Sequence, residues 1–166
     1  MLNFLKSVDI TAALIKEFKS DKNINELMRH AIIAEAKFNN DLSDLICRSN
    51  ANIIAKSSPN LFSQFSIATS EILISIGKPA YKIFGDDSAP VEENIIALGK
   101  SSARKELFEK KTSSELYEFY IRKCRLLKAL TDGNGLTKIK VSLQQRCRNI
   151  RLATTILTRK NQGSRT

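Results

Sequence analysis

The sequence predicts an all-α fold: a single-domain bundle of about five to seven helices that ends in an antiparallel, basic αα-hairpin. Three observations carry this expectation. Only six Gly and three Pro in 166 residues leave few places for turns, so the elements must be long. "NINE" (Asn23 to Glu26) and "TSSE" (Thr112 to Glu115) have the spacing of capping boxes, in which a side chain and a glutamate three residues on satisfy each other's backbone N–H. No stretch alternates apolar and polar residues strongly enough to make a strand.

A chain of this length, 42% hydrophobic and 27% charged, can bury a core without metal or disulfide staples. The domain is expected to span residues 1–160, with 161–166 as a flexible tail. Within it, the first helix is read over Ser7 to Phe18, with Val8, Ala12, Ile15 and Phe18 on one face. A second begins at "NINE" and carries Leu27, Ile33, Phe38, Leu42, Leu45 and Ile46 at helical spacing, with a kink or break at "RSNAN". Ser58 and Pro59 restart the chain as cap and first helical residue, since proline's missing N–H costs nothing there. That helix is predicted to run without interruption to Gly77.

"GKPAYKIFGDDSAP" reads as the main irregular segment, with one short turn of helix inside it. Pro90, Glu92 and Glu93 open a short helix that Gly99 ends, its acids suiting the N-terminal dipole. The second capping box opens a helix whose inner positions are Leu116, Phe119, Tyr120, Leu127 and Leu130. It ends at "DGNG", whose glycines accept positive φ cheaply in a tight helix–helix turn. The last helix follows, so residues 112–160 form the hairpin.

Charge is distributed very unevenly. Residues 1–118 hold 15 Lys or Arg and 16 Asp or Glu, whereas 119–166 hold 12 Lys or Arg and a single acid, Asp132. The net charge of +10 therefore belongs to the last 48 residues, and such asymmetry speaks to partners rather than to fold. At 100° per residue, Leu136, Ile139, Leu143, Cys147, Ile150, Thr154 and Leu157 make one stripe of the last helix. Lys138, Lys140, Arg146, Arg148, Arg151, Arg159 and Lys160 surround it, and Arg122, Lys123, Arg125 and Lys128 add a second basic face from the preceding helix. Glu35, Asp41 and Asp44 are the acids available to cover them.

Two functions fit this pattern. The first is non-enzymatic nucleic-acid binding through phosphate contacts by Arg122, Arg125, Lys138, Lys140, Arg146, Arg148, Arg151, Arg159 and Lys160. DNA and RNA both satisfy it. Residues 121–166 contain no aromatic, so base stacking is absent from that surface and little sequence preference is expected. The alternative is a helical adaptor or oligomer subunit. Its interface would be the ridge of Val141, Leu152 and Ile156 amid the charges, docking on an acidic protein or a second copy.

Enzyme chemistry finds little support. His30 is the only histidine, which excludes multi-histidine metal sites; a half-buried histidine paired with Glu26 one turn away is the expected arrangement. "GKSSAR" lacks the earlier glycine of a phosphate-binding loop, and "NIIALGKSSARKELFEKK" places Lys105 where a helix-turn-helix needs an apolar residue. The carboxylate pairs Asp86–Asp87 and Glu92–Glu93 are explained by loop and cap chemistry. Cys47, Cys124 and Cys147 are widely spaced and odd in number, as small apolar residues in a reducing compartment would be. No cofactor, metal or membrane span is expected, and the protein reads as cytoplasmic.

Overall fold

The computed structural model describes residues 21–85, 111–133, 135–136 and 142–162, without the side chains of residues 21, 22 and 160–162. Within them the chain is helical and holds no strand, as the sequence predicts. In chain order the elements are α1 (Asp21–Arg48), α2 (Ala51–Ser57), a 3-10 helix (Pro59–Gln64), α3 (Ala68–Ser75), α4 (Ala80–Phe84), α5 (Ser113–Asp132) and α6 (Leu143–Gln162). The helices read over Ser7 to Phe18 and Pro90 to Gly99 lie outside the described residues. So do Asp86–Asp87, Glu92–Glu93, Lys138, Lys140 and Val141.

α1 spans 28 residues and already includes Asn23 and Glu26, so "NINE" lies inside the helix rather than capping it. The expected break falls at Ser49–Asn50. Asn50 takes φ 67°, a left-handed conformation that asparagine tolerates, and its side chain accepts from the Asn52 N–H to cap α2. The "TSSE" box forms as predicted: Glu115 N–H donates to Thr112 Oγ1 (3.2 Å) and Thr112 N–H to Glu115 Oε2 (2.7 Å). α6 continues to Gln162, two residues past the predicted end of the domain.

α1 is the central element and lies along α6. Three rungs fix their direction. Asn40 donates to Thr155 Oγ1, Asp44 pairs with Arg151, and Gln144 donates to the Cys47 carbonyl while accepting from Ala51 N–H. Rising numbers on one helix meet falling numbers on the other, so the two run antiparallel. α5 packs on α6, the 3-10 helix and α4. The buried side chains form one core, with Phe62, Phe65, Tyr117, Tyr120 and Ile32 among the largest. Tyr120 stands edge-on to Tyr117, ring centroids 5.6 Å apart.

Two expectations need correction, for one reason. Leu42 and Ile46 of α1 are buried as expected, but Phe38 and Leu45 are not. The buried stripe of α1 is Met28, Ile32, Glu35, Ala36, Asn39, Leu42, Ser43 and Ile46, whereas Phe38 and Leu45 are 40% and 53% exposed. Glu35 and Asn39 occupy the inner face because they hold the segment 63–70, while Ser43 Oγ donates within α1 to the Asn40 carbonyl. Asn39 grips Ser66 at both backbone groups: its Nδ2 donates to the carbonyl and its Oδ1 accepts from the N–H, each at 2.8 Å. Glu35 accepts from Ser66 Oγ and Thr69 N–H at 2.9 Å on Oε2, and from Thr69 Oγ1 on Oε1. These bonds replace the helical ones, so the predicted continuous helix from Pro59 to Ile76 divides into a 3-10 turn and α3. No side chain of its own caps α3, whose N-cap is Ile67. The carboxylate of Glu35 occupies that place, where the helix dipole favours negative charge.

The network extends to α5. Thr69 Oγ1 has one proton, spent on Glu35, so the Tyr117 hydroxyl donates to Thr69 at 2.9 Å. Burial pushes the Glu35 carboxyl above its usual range, against the opposing pull of its hydrogen bonds from Thr69 and Ser66.

Glu35→Ala strands three donors and is expected to cost about 3 kcal/mol of stability by urea denaturation. The pH dependence has a definite sign. A carboxyl whose folded pKa is raised contributes most below its unfolded value, near 4.5, and loses that contribution as pH rises through the folded value. The stability of wild type relative to Glu35→Gln should therefore improve as pH falls from 7 towards 4.5.

Candidate functional site

The basic residues of α5 and α6 divide into three groups. The first is internal. Arg125 donates from Nη2 to Ser70 Oγ at 2.5 Å, and Lys128 donates from Nζ to the Ser63 carbonyl at 2.6 Å, in the last turn of the 3-10 helix. Both fasten the clamped segment to α5, Lys128 at the carbonyl end of the 3-10 helix, where a cation is favoured, and Arg125 in the first turn of α3. Arg125, predicted as a phosphate contact, is thus committed to the fold.

The second group lies on the seam between α5 and α6. Lys123 sits over the Phe119 ring, 4.7 Å from its centroid. Burial lowers its pKa first, and the charges of Arg146 and Arg122 lower it further. The Arg146 Nε is buried without a hydrogen-bond partner among the described residues. Arg122 is exposed. Three cations therefore crowd one seam, and no carboxylate is among the charges that act on Lys123.

The third group faces α1. Arg148, Arg151 and Arg159 line a groove of about 420 Å³ with Asn40, Asp41, Asp44, Leu152 and Thr155. Taking Arg146 as origin, they fall roughly 200°, 140° and 220° around α6, on the opposite side from the seam. One basic stretch of sequence thus becomes two surfaces. In the groove Asp44 is held between Arg48 (2.7 Å) and Arg151 (3.1 Å), so one carboxylate is shared by two guanidinium groups. Asp41, Arg148 and Arg159 are exposed.

Several predicted positions are corrected here. Leu152 is 9% exposed and Ile156 fully buried, so neither offers a docking ridge: α6 buries a wider arc than its main stripe, because more than one element packs against it. Of the three acids expected to cover the basic face, Asp44 does so and Asp41 shares the groove, but Glu35 lies in the core. His30 and Glu26 are both exposed, not a half-buried pair. Asn40 and Thr155 enter the groove unforeseen, since neutral residues on a charged face carry no sequence signal. The side chain of Lys160 lies outside the described residues.

Cys47, on α1, is half-buried, while Cys124 and Cys147 are buried, all three as free thiols. Burial pushes the Cys147 thiol up to about 12, and those of Cys47 and Cys124 above their ordinary value, which makes them poor nucleophiles and metal ligands. Among the described residues no cluster of His, Cys, Asp or Glu can hold a metal ion, and no helix is long and apolar enough to cross a membrane. Comparison with protein-family models, with curated proteins and with solved structures returns no match.

Arg125→Gln is expected to lower stability by about 1 kcal/mol because Ser70 loses its charged partner, whereas Arg122→Gln, at an exposed position, should stay within about 0.5 kcal/mol of wild type. Urea denaturation of the two variants measures the difference.

Proposed function

We propose that this chain is a non-enzymatic, cytoplasmic nucleic-acid-binding protein that grips phosphates with the basic residues of α5 and α6. The observation that carries the reading is the crowding of Arg122, Lys123 and Arg146 on the α5–α6 seam. Like charges drawn together with partial burial repel one another and are costly unless an anion joins them. A phosphate seated beside the exposed Arg122 would offset the mutual repulsion that, after burial, lowers the Lys123 pKa. The adaptor reading loses support, because Leu152 and Ile156 are inside the fold.

Binding of this kind releases counterions, so log K falls linearly with log salt concentration at about 0.9 per duplex phosphate neutralised. Fluorescence anisotropy over a salt series, with labelled duplex DNA, single-stranded DNA and RNA, is the test. Removing one phosphate-contacting cation, as in Arg122→Gln or Arg146→Gln, should weaken binding to every sequence alike and reduce the slope by about one. A folded wild type that binds none of the three polymers at low salt overturns the proposal.

A further inference from the structure

The α1–α6 groove differs from the seam in one respect that bears on which nucleic acid is held. We infer that it takes a single-stranded segment, with phosphates on Arg148 and Arg159 and a sugar or base donor on Asp41. This rests on the nucleic-acid reading above and narrows it.

A phosphate backbone presents only acceptors and negative charge. A carboxylate inside a groove meant for backbone alone would repel it. Asp41 and Asp44 stand on one wall, a turn apart on α1, opposite the three arginines on α6. Their roles separate by partner. Asp44 pairs through Oδ2 with Arg48, and its buried Oδ1, which makes no hydrogen bond among the described residues, lies 3.1 Å from Arg151 Nη2. Asp41 is exposed, and neither a hydrogen bond nor an ion pair of its carboxylate is found among the described residues. It is an acceptor facing two exposed guanidinium groups.

Those groups lie eleven residues apart on one face of α6, about 16 Å along the helix axis, too far to share one phosphate. Together they fit two phosphates of a chain, and the carboxylate fits a donor between them. In a duplex the ring N–H donors are paired, and each exocyclic amine keeps only one free hydrogen, on the floor of a base groove. In a single strand they are open: the exocyclic amines of adenine, cytosine and guanine, the ring N–H of guanine, uracil and thymine, and in RNA the 2′-hydroxyl. A separation of about 16 Å spans more than one nucleotide step of such a strand, so the groove of about 420 Å³ holds part of a segment whose ends meet Arg148 and Arg159.

The sign of a single substitution tests this. If the groove merely attracts phosphate, Asp41→Ala removes a repulsive charge and tightens binding to every polymer. If Asp41 accepts from the ligand, the same change weakens single-strand binding about tenfold, the loss of one charge-assisted hydrogen bond, and leaves duplex binding equal or tighter. Anisotropy with labelled single strands of RNA and DNA of one sequence, and with the matching DNA duplex, at one salt concentration reads both signs. A larger loss on RNA assigns the donor to the 2′-hydroxyl, and equal losses assign it to the base. Arg159→Gln, which keeps Asp41, should weaken single strands more than duplex. Tighter binding of Asp41→Ala to all three polymers overturns the inference and leaves the phosphate reading standing. Absence of binding by wild type overturns both.

Discussion

A carboxylate buried in the centre of the molecule sets the path of nearly everything around it. Glu35 is inaccessible to solvent, and three hydrogen bonds hold it in a site that otherwise penalises its charge. Together with Asn39 one turn later, it dictates where segment 63–70 leaves helical geometry and where α3 starts. The neighbouring elements accommodate that decision. Tyr117, Arg125 and Lys128 of α5 converge on the same segment, and α1 repeats the device further down, where Arg29 donates to the Ile83 carbonyl and Asn25 to that of Lys82. Buried polar groups are costly when unpaired, so an arrangement that satisfies this many at once excludes alternative registers of α1 against its partners.

That arrangement also sorts the cations. On α5, positions 125 and 128 turn inward to serve the clamp, while 122 and 123 remain on the seam. On α6 the sorting follows from rotation: α5 meets the side that carries Arg146, and α1 meets the side that carries Arg151. Each surface inherits the character of its neighbour. The seam gathers Arg122, Lys123 and Arg146, and the groove is mixed because α1 contributes Asp41 and Asp44. A mixed groove discriminates among polyanions where a uniform one only attracts them.

The sequence by itself determined the fold class, because scarce turn residues and a true capping box at Thr112 are local properties that need no tertiary partner. It also determined the break at Asn50, the core stripe of α6 through Leu143, Cys147, Ile150, Thr154 and Leu157, and the concentration of charge at one end of the chain. Only the tertiary structure decided the rest. Glu35 and Asn39 read as solvent-facing residues until their partners 27 to 34 positions away are in place, so hydrophobic periodicity put Phe38 and Leu45 on the inner face of α1 and joined two helices that the clamp divides. The same holds for the basic residues. Their number is written in the chain, but whether an arginine holds a serine, neutralises an aspartate or stays free for a ligand depends on which helix packs beside it.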